Sequence, residues 1–192
     1  MNRAEFFLGS LKGRILDAGY GCGTLHNRIV EKFGKENVYG LDIETKKESG
    51  NYKRGSAEEM PFATASFDSV VAGELIEHLQ NPERFLQESN RVLRKGGLLF
   101  ISTPNRESLI NRLTHSYETP VHPNLFNKKE LLLLLDKNGF KVQEFFCQPY
   151  NEENSYGSKA KWSFFFRGIL HYFLPKSLQE EIVLGARKVK KA

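Results

Sequence analysis

Short apolar runs alternate with stretches of helical period along this 192-residue chain. The alternation predicts βαβ units around a mostly parallel sheet, an α/β architecture. Arg14–Asp17 (RILD) reads as a first strand opening onto a glycine-rich turn, and Leu25–Phe33 as a helix with Gly34 just past its end. Val38–Asp42 (VYGLD) is a second strand ending in an acid, Tyr52–Arg54 a candidate short third, and Ser69–Ala72 a fourth. Asn81-Pro82 supplies a cap residue and a first-turn proline for a helix running to about Arg94, where Gly96-Gly97 stop it. Leu98–Ser102 is a fifth strand. Asn127 and Glu130 form a capping box for a helix over Leu131–Leu135, which Asn138-Gly139 ends. Phe140–Phe146 is a sixth strand and Ile182–Arg187 a seventh. One segment breaks the alternation. Trp162, Phe165, Phe166, Ile169, Leu170 and Phe173 share a helical face, Lys159, Lys161 and Arg167 lie around it, and Pro175 stops it.

The length predicts one domain over residues 1–192, large enough to bury a core without disulfides or a structural metal. With 40% hydrophobic and 27% charged residues and a mean hydropathy of -0.47, the chain is neither disordered, collagen-like nor a disulfide scaffold. Cys22 and Cys147 lie far apart and form no metal-ligand pair, so a reducing, cytoplasmic setting is expected. MNRAEFFLGSLKG lacks the apolar stretch of a signal peptide, and no run approaches the roughly 18–20 apolar residues of a membrane span. The net charge of +5 is unevenly placed: Lys159 to Ala192 holds eight basic and two acidic residues, and the remainder is near neutral. A near-neutral body is not built to coat nucleic acid, so no nucleic-acid partner is expected.

The segment Asp17-Ala-Gly19-Tyr20-Gly21-Cys-Gly23 lies between a strand and a helix. Glycines there allow a tight turn and let backbone N–H groups approach a ligand, while the following helix N-terminus favours a carboxylate or phosphate. The nicotinamide-dinucleotide fingerprint wants a glycine or alanine where Thr24 stands. An acid followed by G-x-G-x-G fits S-adenosylmethionine (SAM) better, since SAM has no pyrophosphate. Asp42, 23 residues after Gly19, is placed to accept ribose hydroxyls, a feature both nucleotide classes share.

RILDAGYGCGTL, YGLDIE, GSAEEMPFATASFDSVVAGELIEHLQNPERFLQESNRVLRKGGLLFISTPN and IVLGARK, in that order, resemble the successive motifs of class I SAM-dependent methyltransferases. The likeness covers residues 12–146 closely and the seventh strand more loosely. It implies a Rossmann-like, doubly wound, mostly parallel seven-stranded sheet with an antiparallel last strand and a helical insert, residues 149–178, before it. It also implies that Gly19, Gly21 and Gly23 line the methionine part and Asp42 the ribose, with Asp17, Tyr20 and Ile43 among the cofactor-binding residues. Ser56, Ala57 and Glu58 would lie beside adenine, and Gly73 and Glu74 would face the ligand after the fourth strand. The family often has an aspartate where Ser56 stands. The Asn/Asp-Pro-Pro-aromatic run of amino-methylating nucleic-acid enzymes is replaced here by AGELIEHL, and neither cysteine follows a proline as a cytosine-C5 nucleophile would.

Glu74-x-x-Glu77-His78 follows the fourth strand, and positions i, i+3 and i+4 share a helical face. Two carboxylates and an imidazole form a candidate site for Mg or Mn, with His122 or His115 from the loop after the fifth strand to complete it. The pattern is similar to two metal-assisted branches of the family, one methylating catechol-like quinone precursors and the other the terminal ribose of small RNAs. The other reading is cofactor-side architecture, as in relatives that use no metal. His78, His122 and His115 are the candidate general bases.

The acceptor pocket is expected beyond the carboxyl ends of the strands, built from Pro104–Phe126 and Pro149–Leu178. Only about a dozen residues precede the first strand, so little N-terminal lid is expected. The aromatic helix is a candidate lid over an apolar acceptor or, through residues 159–176, a peripheral membrane contact; inward packing is its plain alternative. The resulting expectation is a SAM-dependent methyltransferase acting on a small-molecule acceptor at oxygen. Its alternatives are a methyltransferase of RNA 3'-terminal ribose and a non-catalytic SAM-binding module.

Overall fold

In the computed structural model, which describes residues 2–21, 23–46, 48–149 and 172–190, the apolar runs become seven strands. They are β1 (Ile15–Ala18), β2 (Val38–Asp42), β3 (Tyr52–Arg54), β4 (Phe67–Gly73), β5 (Leu93–Pro104), β6 (Phe140–Gln148) and β7 (Glu181–Lys188). They form one sheet in the order β3-β2-β1-β4-β5-β7-β6. The first five run parallel, and β7 lies antiparallel between β5 and β6. This is the doubly wound sheet with an antiparallel last strand that the sequence predicts.

Both faces of the sheet are covered. Ile15, Val71 and Phe100 belong to one apolar cluster, while Leu16, Val70 and Leu99, their chain neighbours, belong to the other. Alternation at period two therefore feeds two cores. Helices α1 (Arg3–Ser10) and α2 (Thr24–Phe33) supply Phe6, Phe7 and Ile29 to the first. Helices α3 (Pro82–Val92) and α5 (Lys128–Lys137) supply Phe85, Leu86, Leu131 and Leu135 to the second. Each such fully buried side chain contributes about 1.5–3 kcal/mol. The capping box at Asn127 and Glu130 forms as expected.

Three departures matter. α1 is a complete helix with its own Asn2–Glu5 capping box, where little was expected before the first strand. A second unexpected helix, α4 (Leu109–Thr114), follows β5. α3 stops at Val92, earlier than Arg94, because Leu93 already pairs with Phe67 across the sheet. Gly96 and Gly97 thus lie inside β5, where a Cβ on Gly97 would meet Leu93 Cδ2 at 2.9 Å. Most of the 149–178 insert, including the aromatic positions Trp162 to Leu170, lies outside the described residues. Phe173 is exposed, and a 3-10 turn at Lys176–Leu178 leads into β7.

The parallel strands end together at Ala18, Asp42, Arg54, Gly73 and Pro104. Because β7 runs the other way, its first residue, Glu181, arrives at the same edge, opposite Pro104 and Gln148. That edge carries the chemistry. Among the described residues no helix is long and apolar enough to cross a membrane.

Candidate active site

Beyond β1 the chain turns sharply. Gly19 and Gly21 adopt left-handed φ values of 72° and 46°, which only glycine takes without cost. A Cβ on Gly19 would lie 2.8 Å from Leu75 Cδ1. Gly23 caps α2 without a side-chain hydrogen bond, and the first turn of that helix carries no acid, which favours an anionic ligand end there. Asp42 is half-buried at the mouth of the turn. Its carboxylate accepts the Gly21 N–H at 3.0 Å and the Glu44 N–H at 2.8 Å, leaving further lone pairs. Beside it, Ile43 is 64% exposed. Ser56 Oγ accepts the Glu58 N–H, Ala57 is buried, and the Glu58 carboxylate accepts the Asn81 N–H at the start of α3. The buried Asp17 carboxyl bonds His26 Nδ1 at 2.9 Å through one oxygen, and burial pushes its pKa up.

After β4, Glu74 and Glu77 part company. The expected helical face does not form, because only a three-residue 3-10 turn, Ile76–His78, follows, and Glu74 itself sits at φ 52°. The Glu74 carboxylate accepts from Ser102 Oγ and lies 3.7 Å from Arg3 Nη1. Glu77 points elsewhere, fully buried. Thr103 Oγ donates to one carboxyl oxygen at 2.9 Å, and the other, Oε1, has no hydrogen-bond partner among the described residues. Burial, followed by the Glu74 charge, holds the Glu77 carboxyl well above the ordinary range.

The loop after β5 brings His122 to this place. Asn124 directs the loop, its N–H donating to Glu77 O and its side chain to Leu79 O. The His78 and His122 rings stand 4.8 Å apart. His78 Nδ1 donates to Val121 O and His122 Nδ1 to Tyr117 O, so Nε2 is the atom of each ring left to accept a proton or bind a cation. One ligating atom from each of Glu77, His78 and His122 lies within 4.8 Å of the others. Glu74 and His115 are not in this group. His115 ends α4, exposed, and pairs with Glu118 at 2.9 Å. A cavity of about 730 Å³ opens beside His122, between the loop and α5, with Arg106, Thr119, Phe126 and Leu134 in its walls.

Pattern reading missed the polar cluster behind Glu74. Arg3 Nη1 donates to Ser102 Oγ at 3.1 Å and to Glu181 Oε1 at 2.9 Å, and Gln148 donates to the other Glu181 oxygen. Burial and the Glu74 charge push the Glu181 carboxyl up to about 8 against the pull of Arg3. The available signal was Glu180-Glu181 at the head of an otherwise apolar strand.

A glycine turn between β1 and α2, an acid closing β2 and this strand order together define a class I, Rossmann-like methyltransferase fold with a SAM-type cofactor end. The chain belongs to the methyltransferase-domain family, whose profile matches residues 2–144. It is 33% identical over 141 residues to a probable SAM-dependent methyltransferase of Mycolicibacterium smegmatis, covering 68% of this chain and 52% of that one. It is 31% identical over 176 residues to the human mitochondrial ubiquinone biosynthesis O-methyltransferase, covering 74% of this chain and 45% of that one. It thus spans about half the length of these relatives. A SAM-dependent methyltransferase of Thermotoga maritima superposes with a TM-score of 0.66 at 21% identity, over 97% of this chain and 87% of that one. A Haloferax volcanii methyltransferase, solved with its Trm112 activator, gives 0.73 at 14% identity, over 98% and 89%.

Proposed function

We propose that this protein moves a methyl group from SAM to an oxygen of a small-molecule acceptor, with Glu77, His78 and His122 on the acceptor side. The observation that carries this reading is the convergence of those three residues around a buried carboxyl oxygen without a partner. The O-methyltransferase relatives of ubiquinone biosynthesis support oxygen as the methylated atom.

SAM supplies the methyl on a sulfonium that leaves readily, so the chain's own residues mainly position and deprotonate. Gly19, Gly21 and Gly23 receive the methionine part and Asp42 the ribose, while Ile43, Ser56 and Ala57 line the nucleoside side. Gly73 and Glu74 lie where β4 hands over towards the acceptor. The acceptor occupies the cavity beside His122. Tied through Nδ1 to Tyr117 O, His122 presents Nε2 to take the hydroxyl proton. A divalent ion such as Mn is the other occupant this donor set would suit: Glu77, His78 and His122 would hold it, and His122 Nε2, its one lone pair then committed to the ion, would not act as the base. Such an ion would supply charge that lowers the acceptor hydroxyl's pKa.

Calorimetric titration of Mn²⁺ into protein saturated with S-adenosylhomocysteine tests the centre. Micromolar binding that is lost in Glu77→Gln and His122→Ala supports it, and binding unchanged in both variants sinks it. For the base, His122→Ala should lower turnover far more than SAM affinity.

A further inference from the structure

The glycine-rich turn needs an external brace. Gly19 and Gly21, both left-handed, have no side chains to anchor them, and glycine loses more backbone freedom on ordering than any other residue. Tyr20 is the side chain between them, and it is held on every side. Its hydroxyl bonds Thr45 Oγ at 3.0 Å, and its ring stands 4.9 Å from His26 and 5.4 Å from Tyr52. Gly40 makes room for this packing. A Cβ there would lie 2.7 Å from Tyr20 Cδ1 and 2.6 Å from Tyr52 Cδ1.

His26 ties the group together. Its Nδ1 bonds Asp17 Oδ2 at 2.9 Å and its Nε2 bonds the Tyr52 hydroxyl at 2.9 Å. With Asp17 as a carboxylate, Nδ1 carries the proton, and Tyr52 O–H donates to Nε2. The hydrogen-bonded chain Tyr52–His26–Asp17 therefore joins β3, α2 and β1, the three elements around the turn. A histidine that only fills space needs one partner. This one commits both nitrogens to flanking elements and its ring to Tyr20.

We propose that His26 is a positioning residue for cofactor binding: the Tyr52–His26–Asp17 chain braces Tyr20 and sets the glycine-rich turn in the shape that receives the methionine end of SAM. The proposal rests on the reading of this turn as the SAM site.

Calorimetric titration with S-adenosylhomocysteine, run beside ligand-free melting curves, tests it. His26→Phe keeps the ring and cuts both bonds, but it leaves a buried carboxylate unpaired and risks unfolding. Tyr52→Phe is the safer variant, since it removes one hydroxyl from a half-buried side chain. It should lower the ligand-free melting point by no more than the few degrees one hydrogen bond is worth, leaving the protein folded during the titration, and weaken binding about fivefold. His26→Asn keeps a donor near the Nδ1 position for Asp17 and should bind better than His26→Phe. Affinity unchanged in both Tyr52→Phe and His26→Asn, or falling only in step with the folded fraction, overturns the brace. A wild-type protein that binds no S-adenosylhomocysteine overturns the brace together with the reading of the turn beneath it.

Discussion

Around β1, β2 and β3, the polar side chains at the sheet edge close on one another. Asp17 holds His26, His26 holds Tyr52, and Tyr20 holds Thr45. Around β4, β5 and β7, two acids, Glu74 and Glu181, meet one guanidinium, Arg3, a third acid, Glu77, is buried within reach of their charges, and Glu77 Oε1 and Arg3 Nε have no hydrogen-bond partner among the described residues. The first region is finished before any ligand arrives, as suits a cofactor read largely by backbone groups. The second holds carboxyl groups whose pKa values are raised by burial and by each other, an arrangement costly to folding and useful to chemistry.

The largest expected effect lies in the second region. Between its ordinary 4.5 and about 8, folded Glu181 binds a proton that the unfolded chain releases. Stability should therefore fall as pH rises through that window, by up to about 5 kcal/mol, and buried Glu77 adds to the fall in the same direction. Urea unfolding at pH 5 and pH 9 reads the slope, and Glu181→Gln should flatten its own part. Equal slopes in both proteins would show that Glu181 carries no raised pKa.

Glu77→Gln sharpens the contrast next. It replaces a buried acid by a neutral isostere, so its share of the fall in stability at high pH should go, while turnover drops about a hundredfold with the loss of an ionisable ligand beside the acceptor. A variant that turns over normally would leave Glu77 a structural residue. In the first region, Gly40→Val forces branched carbons against Tyr20 and Tyr52. It should cost about 2 kcal/mol in chemical denaturation and weaken S-adenosylhomocysteine binding. The smallest effect belongs to His115→Ala. Its partner Glu118 is exposed too, so stability should move by under about 0.5 kcal/mol and turnover should not change.

The two regions were also unequally legible in the sequence. The glycine turn, the acid ending β2 and the strand order are local signals, written in spacing and period. Even so, the spacing does not show that Asp17 is held by His26, nine residues on. The second region depends on contacts with no local signature. Arg3 and Glu181 stand 178 positions apart, and the eight residues of α1 are too short a stretch to announce a helix beyond their capping box. Glu74 and Glu77 have helical spacing, but a 3-10 turn and a left-handed residue redirect them. His122 lies beside His78 because Asn124 ties its loop to Glu77 and Leu79, and no periodicity encodes that path.

The position of β7 sets an order of events during synthesis. The strands that frame the glycine turn, β1 to β3, lie within the first 54 residues, so a growing chain can pair them early. Arg3 emerges first and then waits for Glu181, which arrives on a strand that must enter between two already made. Contacts of such long sequence separation form slowly. Until that insertion the nascent chain exposes the apolar flanks of β5 and β6. A chaperone that shields this open slot would protect the half of the molecule that carries Glu77, Glu181 and Arg3.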